Sequence, residues 1–350
     1  MSRPADLIPV RDVHSFDPQG LERWLDRHVE GYRGPVEVLQ FAGGQSNPTY
    51  SLESPSGRYV LRRKPPGKLL PSAHAVDREY RVLTALRDTD VPVARTFALC
   101  EDDDVIGTAF YVMEHVDGRV LRDPLLPGCK PAERAAIYDV MNATLAALHR
   151  VDFVAVGLED FGKQGDYVAR QIHRWTKQYR ASETVTIPEM DRLIEWLPRQ
   201  IPEDDETTLV HGDFRLENMI FHPTEPEVLA VLDWELSTLG HPLADLSYNC
   251  LLYRTDPDAF GGFGDTDLAA LGIPTESEYV AAYCRRTGRE RIDGWEFYMA
   301  FALFRIAAIL QGIMGRVVDG TAAAKNAAER GAMAPAVAKR GWEIAEGMGA

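Results

Sequence analysis

Two short polar motifs, separated by about twenty residues, constrain the fold of this chain more than any other feature. The first runs from His211 to Asn218 with the sequence HGDFRLEN, and the second begins at Asp233 and continues with Trp and Glu. Between them, two apolar runs at 219–221 and 228–232 flank a polar turn that contains two prolines. Short apolar runs joined by a turn are typical of a β-hairpin. We therefore expect the acidic and amide groups to lie at the ends of a hairpin, where their side chains can converge.

These residue types suit the transfer of a phosphoryl group. That reaction uses one carboxylate to orient the attacking hydroxyl and accept its proton, and an amide and a second carboxylate to hold Mg²⁺ on the nucleotide. The spacing resembles the catalytic loop and metal-binding Asp of protein-kinase-like folds, with Asp213 as the base and Asn218 and Asp233 as metal ligands. Gly212 in the loop and Trp-Glu after Asp233 resemble the small-molecule kinases, the aminoglycoside phosphotransferase and choline kinase branch. The alternative is a chance pattern of residues that cap a hairpin.

Composition favours a soluble globular protein and argues against a nucleic-acid partner. The 350 residues are 45% hydrophobic and 26% charged, and the net charge of −15 opposes a phosphate backbone. The longest apolar segment, 297–314, carries Arg305 and Gln311 and is too polar for a membrane span. The N-terminus lacks a signal-peptide pattern, and the four cysteines show no paired spacing. We expect a cytoplasmic protein without membrane association, either a monomer or a homodimer.

The N-terminal third has the pattern of an antiparallel sheet with one helix. Strands are expected at 36–41, 50–52, 58–64, 93–100 and 109–113, and a helix at 75–87. A glycine-rich turn after the first strand can bring backbone N–H groups close to phosphate oxygens. It resembles the Gly-Gly-x-x-Asn loop of the small-molecule kinases, and a plain turn is the alternative. Its residues are Gly43, Gly44, Gln45, Ser46 and Asn47.

The resemblance also assigns a basic residue to the nucleotide phosphates. Arg62 occupies the position at which protein kinases carry a phosphate-binding Lys, and a guanidinium suits phosphate equally well. Lys64 shares a strand face with Arg62, so the sequence does not separate the two. Glu79, one turn into the following helix, is the expected ion-pair partner of Arg62. Arg63 is expected to be exposed to solvent.

The segment after the last strand resembles the hinge between kinase lobes. Met113 would lie just inside the nucleotide pocket, and the backbone of Glu114 and Val116 would contact the adenine edge. The resemblance implies an α+β, bilobal protein-kinase-like fold. Its small antiparallel-sheet N-lobe would span 1–116, and its mainly helical C-lobe 117–350, with helices expected at 131–149, 166–179 and 189–199.

Three residues near the catalytic motif are expected to support it. His211 is interpreted as a packing and hydrogen-bonding residue. Glu235 is a candidate for a second metal or for positioning the substrate, with a salt bridge as the alternative. Asp245 resembles the family's later Asp that hydrogen-bonds the catalytic-loop backbone, and the alternative is a charge at a helix N-terminus.

The acceptor site is predicted less specifically. Tyr298 and Arg305 recur at a spacing of seven on a helix that begins near Trp295, and therefore share a face. A lone Arg in such an apolar helix requires a partner anion, which is either a substrate carboxylate or phosphate or an Asp of the core. Tyr248 and Trp295 either line the acceptor cleft or simply pack.

Over most of its length the chain resembles the kinase-like domain fused to acyl-CoA dehydrogenases of families ten and eleven, with Tyr59-Val60-Leu61-Arg62-Arg63-Lys64-Pro65-Pro66-Gly67 as the closest stretch. The resemblance implies ATP as the phosphoryl donor, GTP being possible, with Mg²⁺ and with a hydroxyacyl or hydroxy-acid acceptor. A dehydrogenase domain is not expected within this chain. The alternatives are an antibiotic kinase of the aminoglycoside type and a catalytically silent pseudokinase that binds nucleotide.

Overall fold

The computed structural model describes residues 7–42, 47–67, 74–257, 261–322, 324 and 326–350. Contacts divide the chain into two compact units. Unit 1 contains the chain up to Arg119 together with Met219–Ser237, and unit 2 contains Val120–Asn218 and Thr238–Ala350. The first boundary between the units therefore falls after Arg119, whereas the sequence predicts it after residue 116. The segment that follows Asn218 returns to unit 1 for nineteen residues (219–237) before the chain re-enters unit 2.

Unit 1 is built on a six-stranded antiparallel sheet with the strand order β1-β2-β3-β4-β6-β5. The strands are β1 (Leu7–Ile8), β2 (Glu37–Phe41), β3 (Thr49–Ser54), β4 (Gly57–Arg63), β5 (Thr96–Cys100) and β6 (Phe110–Glu114). Among the described residues of unit 1, the α-helices are α1 (Pro18–His28), α2 (Val76–Leu86) and the short α3 (Asp103–Ile106). Leu21 and Trp24 of α1 join a buried cluster with Leu61 of β4 and Phe110 of β6. The sheet is thus covered on this face by α1, while α2 contacts β5 and β6.

Burial on both sides of the sheet explains why one prediction for β4 is wrong. Successive side chains of a strand point to opposite faces. Leu61 and Arg63 therefore share the face covered by α1, and Arg63 is 2% exposed instead of solvated. Its guanidinium lies 5.3 Å from the ring centre of Phe16 and donates to the carbonyl of Ile106 at 3.4 Å.

The hairpin predicted between the two polar motifs is present in unit 1. Its strands are β8 (Met219–Phe221) and β9 (Val228–Val231), paired antiparallel with Met219 opposite Val231. Arg119 and Phe221 exchange two backbone hydrogen bonds of 2.8 and 2.9 Å, and the N–H of Val231 donates to the carbonyl of Pro92 at 2.8 Å. The hairpin is therefore fixed by backbone bonds to the rest of unit 1.

Unit 2 is mainly helical within its described residues. Its helices are α4 (Pro131–His149), α5 (Tyr167–Ala181), α6 (Pro188–Trp196), α7 (Pro242–Asn249), α8 (Leu268–Leu271), α9 (Glu276–Thr287), α10 (Trp295–Val318), α11 (Ala327–Gly331) and α12 (Ala334–Gly347). Two short antiparallel strands, β7 (Thr208–Val210) and β10 (Thr238–Gly240), lie among them. Helix α10 packs against α5, α7 and α12. By length and composition alone it passes as a membrane span, but 78% of its most apolar window is buried, so its place in the core accounts for its composition.

Candidate functional site

The loop that carries Asp213 follows β7 in unit 2 and is held through the peptide groups of Gly212. Gly212 has a φ of +84°, which L side chains rarely adopt, so glycine is the residue suited to this position. Asp245, in the first turn of α7, accepts the N–H groups of His211 at 2.7 Å and Gly212 at 2.8 Å. Arg305 of α10 donates to the Gly212 carbonyl at 2.7 Å. The backbone bonds predicted for Asp245 are therefore present, at the helix N-terminus that was the alternative reading.

Both carboxylate oxygens of Asp213 accept hydrogen bonds. The amide nitrogen of Asn218 donates to Oδ2 at 2.9 Å and to the Asp213 carbonyl at 2.8 Å. The hydroxyl of Tyr248 donates to Oδ1 at 2.5 Å, and Nε of Arg215 lies 3.4 Å from the same oxygen. Burial, and then the negative charge of Asp213, raise the pKa of Tyr248, so its hydroxyl stays protonated at neutral pH. Hydrogen bonds to both of its oxygens therefore fix the orientation of this carboxylate, and a candidate general base needs a fixed orientation.

Asp245 is itself held by a buried histidine and tyrosine. Nε2 of His149 lies 3.4 Å from Oδ2 of Asp245, and Nδ1 of His149 is 2.7 Å from the hydroxyl of Tyr283. Burial alone would raise the pKa of the Asp245 carboxyl. The hydrogen bond from His149 and the bonds from the loop outweigh burial, and the pKa lies below its ordinary value. Asp245 therefore stays ionised although its side chain is only 2% exposed, and it stabilises the loop as an anion.

His211 is fully buried, and its Nδ1 accepts the N–H of Asp213 at 3.2 Å, in keeping with the packing role expected for it.

In unit 1, Asp233 lies two residues after the end of β9, in a left-handed conformation with a φ of +64°. Asp is among the non-glycine residues that tolerate this region, and such conformations are enriched at functional sites. The turn is fixed by the Trp234 indole, which donates to the Val231 carbonyl at 2.9 Å, and by the Ser237 hydroxyl, which donates to the Trp234 carbonyl at 2.6 Å. The side chain of Asp233 is 37% exposed, so its carboxylate is accessible to a ligand.

The predicted ion pair between Arg62 and Glu79 is present. Nε of Arg62 lies 2.7 Å from Glu79, while its NH2 atom lies 2.6 Å from Asp233 and 3.8 Å from Glu235. Lys64 lies 3.6 Å from Asp77, away from this cluster. Arg62 is thus the basic residue that contacts the candidate metal ligand, although the contact of either residue with phosphate stays a prediction.

The Arg62 cluster carries more negative than positive charge. One guanidinium contacts three carboxylates, and Glu79 also accepts the Asn47 amide at 2.6 Å and the Tyr111 hydroxyl at 3.1 Å. Burial raises the pKa of Glu79 to about 7. Arg62 opposes this rise, and the carboxylates of Asp233 and Glu235 add to it. A cluster of this charge favours a bound cation.

The donor types on the two motifs fit Mg²⁺, which prefers hard oxygen ligands and completes its shell with waters and substrate phosphates. Within the described residues no three His, Cys, Asp or Glu side chains form a ready metal cluster. The amide nitrogen of Asn218 is directed to Asp213, which leaves its Oδ1 atom without a hydrogen bond inside the described chain. Asn218 and Asp233 therefore each keep an oxygen that suits the ion. Their roles as ligands stay predictions.

The nucleotide-binding residues are only partly described. Gly43, Gly44, Gln45 and Ser46 lie outside the described residues, and Asn47 is the buried partner of Glu79. At the predicted hinge, Met113 pairs with Val60 in the sheet, and the N–H of Glu114 donates to the carbonyl of Arg95 at 2.8 Å. The N–H of Val116 makes no hydrogen bond within the described parts of the chain. It is therefore available to an adenine ring, as the hinge prediction requires.

A cavity of about 290 Å³ lies wholly within unit 2. Aromatic and aliphatic side chains form most of its wall, and three arginines and one glutamate also line it. The charged lining residues are Arg122, Arg215, Arg330 and Glu217, and Tyr248 is among the aromatic ones. Tyr248 is both a wall residue and the hydrogen-bond donor to Asp213. The cavity therefore reaches the residue that contacts the candidate base.

The structure does not gather the four predicted acceptor residues into one site. Tyr298 is buried, with its ring 5.1 Å from that of His241, and the Trp295 indole donates to Glu276 at 2.6 Å. Arg305 lies 5.2 Å from the Tyr248 ring, so those two residues are together. Arg305 donates to the Gly212 carbonyl, and its guanidinium lies close to two aromatic rings. Among the described residues, the anion expected as its partner is not found. Aromatic faces attract a guanidinium, which makes a carboxylate unnecessary.

Sequence reasoning missed His149 and Tyr283 as supports of Asp245, and Tyr248 as a partner of Asp213. The partners are separated by 96 residues for His149 and Asp245, and by 35 for Tyr248 and Asp213. No motif in the sequence joins them. The available signal for Tyr248 was its position three residues after Asp245, because positions i and i+3 of a helix are neighbours and a residue there lies close to the loop that Asp245 holds.

Comparisons with known proteins identify the family of the chain and its fold. The pattern of the "Phosphotransferase enzyme family" matches residues 37–301. Acyl-CoA dehydrogenase family member 10 of Mus musculus is 51% identical over 341 residues, which is 96% of this chain but 32% of that relative. The chain thus spans about a third of the length of this relative.

Solved structures share the fold. A Ralstonia eutropha protein provisionally assigned as an aminoglycoside phosphotransferase is 56% identical, with a TM-score of 0.89 over 95% of this chain and 99% of its own. The aminoglycoside phosphotransferase APH(4)-Ia, in a ternary complex with AMP-PNP and hygromycin B, aligns with a TM-score of 0.59 at 16% identity, over 91% of this chain and 98% of its own. The predicted α+β kinase-like fold is therefore confirmed, and the chain belongs to the phosphotransferase enzyme family.

Proposed function

We propose that this protein transfers the γ-phosphate of ATP, with Mg²⁺, to a hydroxyl of a small molecule, and that a hydroxy acid or a hydroxyacyl thioester is its acceptor. The observation that carries the proposal is the Asp213 carboxylate, held at one oxygen by Asn218 and at the other by Tyr248, in a chain of the phosphotransferase family. A carboxylate in this state orients a hydroxyl and takes its proton as the new oxygen–phosphorus bond forms.

The nucleotide would be bound by residues of unit 1 and by the glycine-rich loop predicted at 43–47. Arg62 would bind phosphate oxygens, with Glu79 fixing its direction, and the N–H of Val116 would contact adenine. Asn218 and Asp233 would hold Mg²⁺, which supplies positive charge to the phosphates when bound. AMP-PNP in the structural neighbour APH(4)-Ia supports an adenine nucleotide as donor.

The wall of the unit 2 cavity supports the acceptor class. Apolar and aromatic side chains suit a hydrocarbon chain, and Arg122, Arg215 and Arg330 outnumber the one acidic side chain, Glu217. An anion with an apolar chain is therefore favoured over a polycation. The name of the relative, acyl-CoA dehydrogenase family member 10, supports an acyl acceptor, and the arginines of the cavity disfavour an aminoglycoside.

The proposal is tested by Mg²⁺-dependent turnover of ATP and GTP against hydroxy acids, their thioesters, choline-like alcohols and aminoglycosides. We expect product only with the hydroxy-acid or thioester class. Asp213→Asn keeps the size of the side chain and removes the base, so kcat should fall by about 10²–10⁴-fold, while nucleotide affinity changes little. Product with aminoglycosides alone would contradict the acceptor class, and nucleotide binding without turnover of any acceptor would support a silent pseudokinase.

A further inference from the structure

The two oxygens of the Asp213 carboxylate differ in how they are occupied. Oδ2 accepts the Asn218 amide at 2.9 Å, from a residue that also bonds the Asp213 carbonyl. Oδ1 accepts the Tyr248 hydroxyl at 2.5 Å. An acceptor hydroxyl must donate to one of these oxygens, and the oxygen that faces a cavity-lining residue is Oδ1. Tyr248 therefore occupies the position that an acceptor hydroxyl would take.

Tyr248 is fixed in this position from several sides. It lies on α7, three residues after Asp245, which anchors the loop backbone. The guanidinium of Arg305 lies 5.2 Å from the centre of its ring and also bonds the Gly212 carbonyl. The ring lines the unit 2 cavity, while the hydroxyl contacts the base. An acceptor that fills the cavity therefore meets the ring before its hydroxyl can reach Asp213.

We propose that Tyr248 protects the base from water when no acceptor is bound, and that the acceptor hydroxyl displaces the Tyr248 hydroxyl from Oδ1. This inference rests on the proposed function. Without Tyr248, a water could donate to Oδ1 and attack the γ-phosphorus. The bond from phosphorus to the bridging oxygen of ADP would break, a bond from water oxygen to phosphorus would form, and the water proton would pass through Asp213 to solvent or phosphate. Tyr248 is thus a positioning residue that favours phosphoryl transfer to an alcohol over hydrolysis.

The test compares ATP hydrolysis without acceptor in the wild type and in Tyr248→Phe, measured as phosphate release. Phe keeps the ring beside Arg305 and removes only the hydroxyl. We expect hydrolysis to rise by about tenfold, because one charge-assisted hydrogen bond that competes with water is lost. Tyr179→Phe is the matched control, since it removes a fully buried hydroxyl of α5 outside the loop and the cavity, and its hydrolysis rate should equal that of the wild type.

A double variant identifies the group through which Tyr248 acts. If Asp213 activates the water, Asp213→Asn and Asp213→Asn with Tyr248→Phe should hydrolyse ATP equally slowly. Thermal unfolding shows whether Tyr248→Phe is folded, and Tyr248→Leu repeats the comparison without the ring. A Tyr248→Phe variant that turns over acceptor but hydrolyses ATP no faster than wild type would overturn the inference and leave the proposed function intact. A wild type that binds no nucleotide would overturn the proposed function itself.

Discussion

The Asp245→Asn substitution tests how the catalytic loop is held. Asp245 is 2% exposed and accepts the N–H of His211 on Oδ2 and the N–H of Gly212 on Oδ1. Asn has only one oxygen, so its amide nitrogen must face one of these two N–H donors. The variant loses one backbone hydrogen bond, leaves a buried donor unpaired and removes the anion beside His149.

The magnitude follows from these losses. Leaving a buried polar group unpaired costs about 1–3 kcal/mol, and removing one member of a buried charged network costs about 3–5 kcal/mol. We expect the free energy of unfolding to fall by about 3–5 kcal/mol, which lowers the midpoint of thermal unfolding by roughly 4–7 °C for a chain of 350 residues. Because the loop carries Asp213, a shift of the loop by about 1 Å should also lower kcat by about 10²-fold.

The assay is calorimetric unfolding of the nucleotide-free protein, with Asp139→Asn as the control. Asp139 pairs with Arg286 through a side chain that is 64% exposed, and a surface pair of this kind contributes about 0–1 kcal/mol. If Asp245→Asn changes the unfolding free energy no more than Asp139→Asn does, the assignment of Asp245 as the loop's anchor is refuted.

The same substitution has a predicted pH dependence. The pKa of Asp245 is lowered in the folded protein, so its ionised form contributes stability that is fully present above the unfolded value of about 3.9. This contribution is lost as the pH falls through the lower, folded pKa. The difference in unfolding free energy between wild type and Asp245→Asn should therefore stay constant from about pH 5 to 8 and decrease only at lower pH. A difference that decreases near neutral pH would contradict the linkage.

Two further substitutions test unit 1. Arg62→Lys keeps the positive charge, but an ammonium group cannot contact Glu79 and Asp233 through separate nitrogens of one planar group. We therefore expect the affinity for ATP, measured by titration calorimetry, to fall by about tenfold. An unchanged affinity would count against Arg62 as the phosphate ligand. Arg63→Ala removes the guanidinium packed on Phe16 and should lower the unfolding free energy by about 2–3 kcal/mol, whereas a solvated arginine, as the sequence suggests, would change it by about 0.5 kcal/mol or less.

Features set by local sequence were predictable. The helix expected at 131–149 is present with those bounds, and the hairpin after Asn218 follows from two apolar runs and a proline-containing turn. Pairing of Arg62 with Glu79 was also predictable, because the order of strand and helix resembles a known family. Such features depend on periodicity and turn chemistry that neighbouring residues carry.

Features that depend on distant partners were not predictable. The burial of Arg63 depends on α1 covering the second face of the sheet, and the strand's own sequence contains nothing that indicates this cover. Arg305 bonds Gly212 from 93 residues away, and its aromatic neighbours replace the anion that its burial suggested. The acceptor cavity was likewise assigned in part to Trp295 and Tyr298, which share a helix with Arg305 but contact other neighbours.

The return of the hairpin to unit 1 limits how such a protein can be divided or recombined. Neither unit is a continuous piece of chain, since the polypeptide passes from one unit to the other after Arg119, Asn218 and Ser237. A single cut after Arg119 would therefore separate the first segment of unit 1 from β8 and β9, the two strands of the same unit that precede Asp233. Exchange of one whole unit between relatives requires three coordinated breakpoints, whereas a single crossover after Arg119 transfers the candidate base and the candidate metal ligands together with all residues that follow.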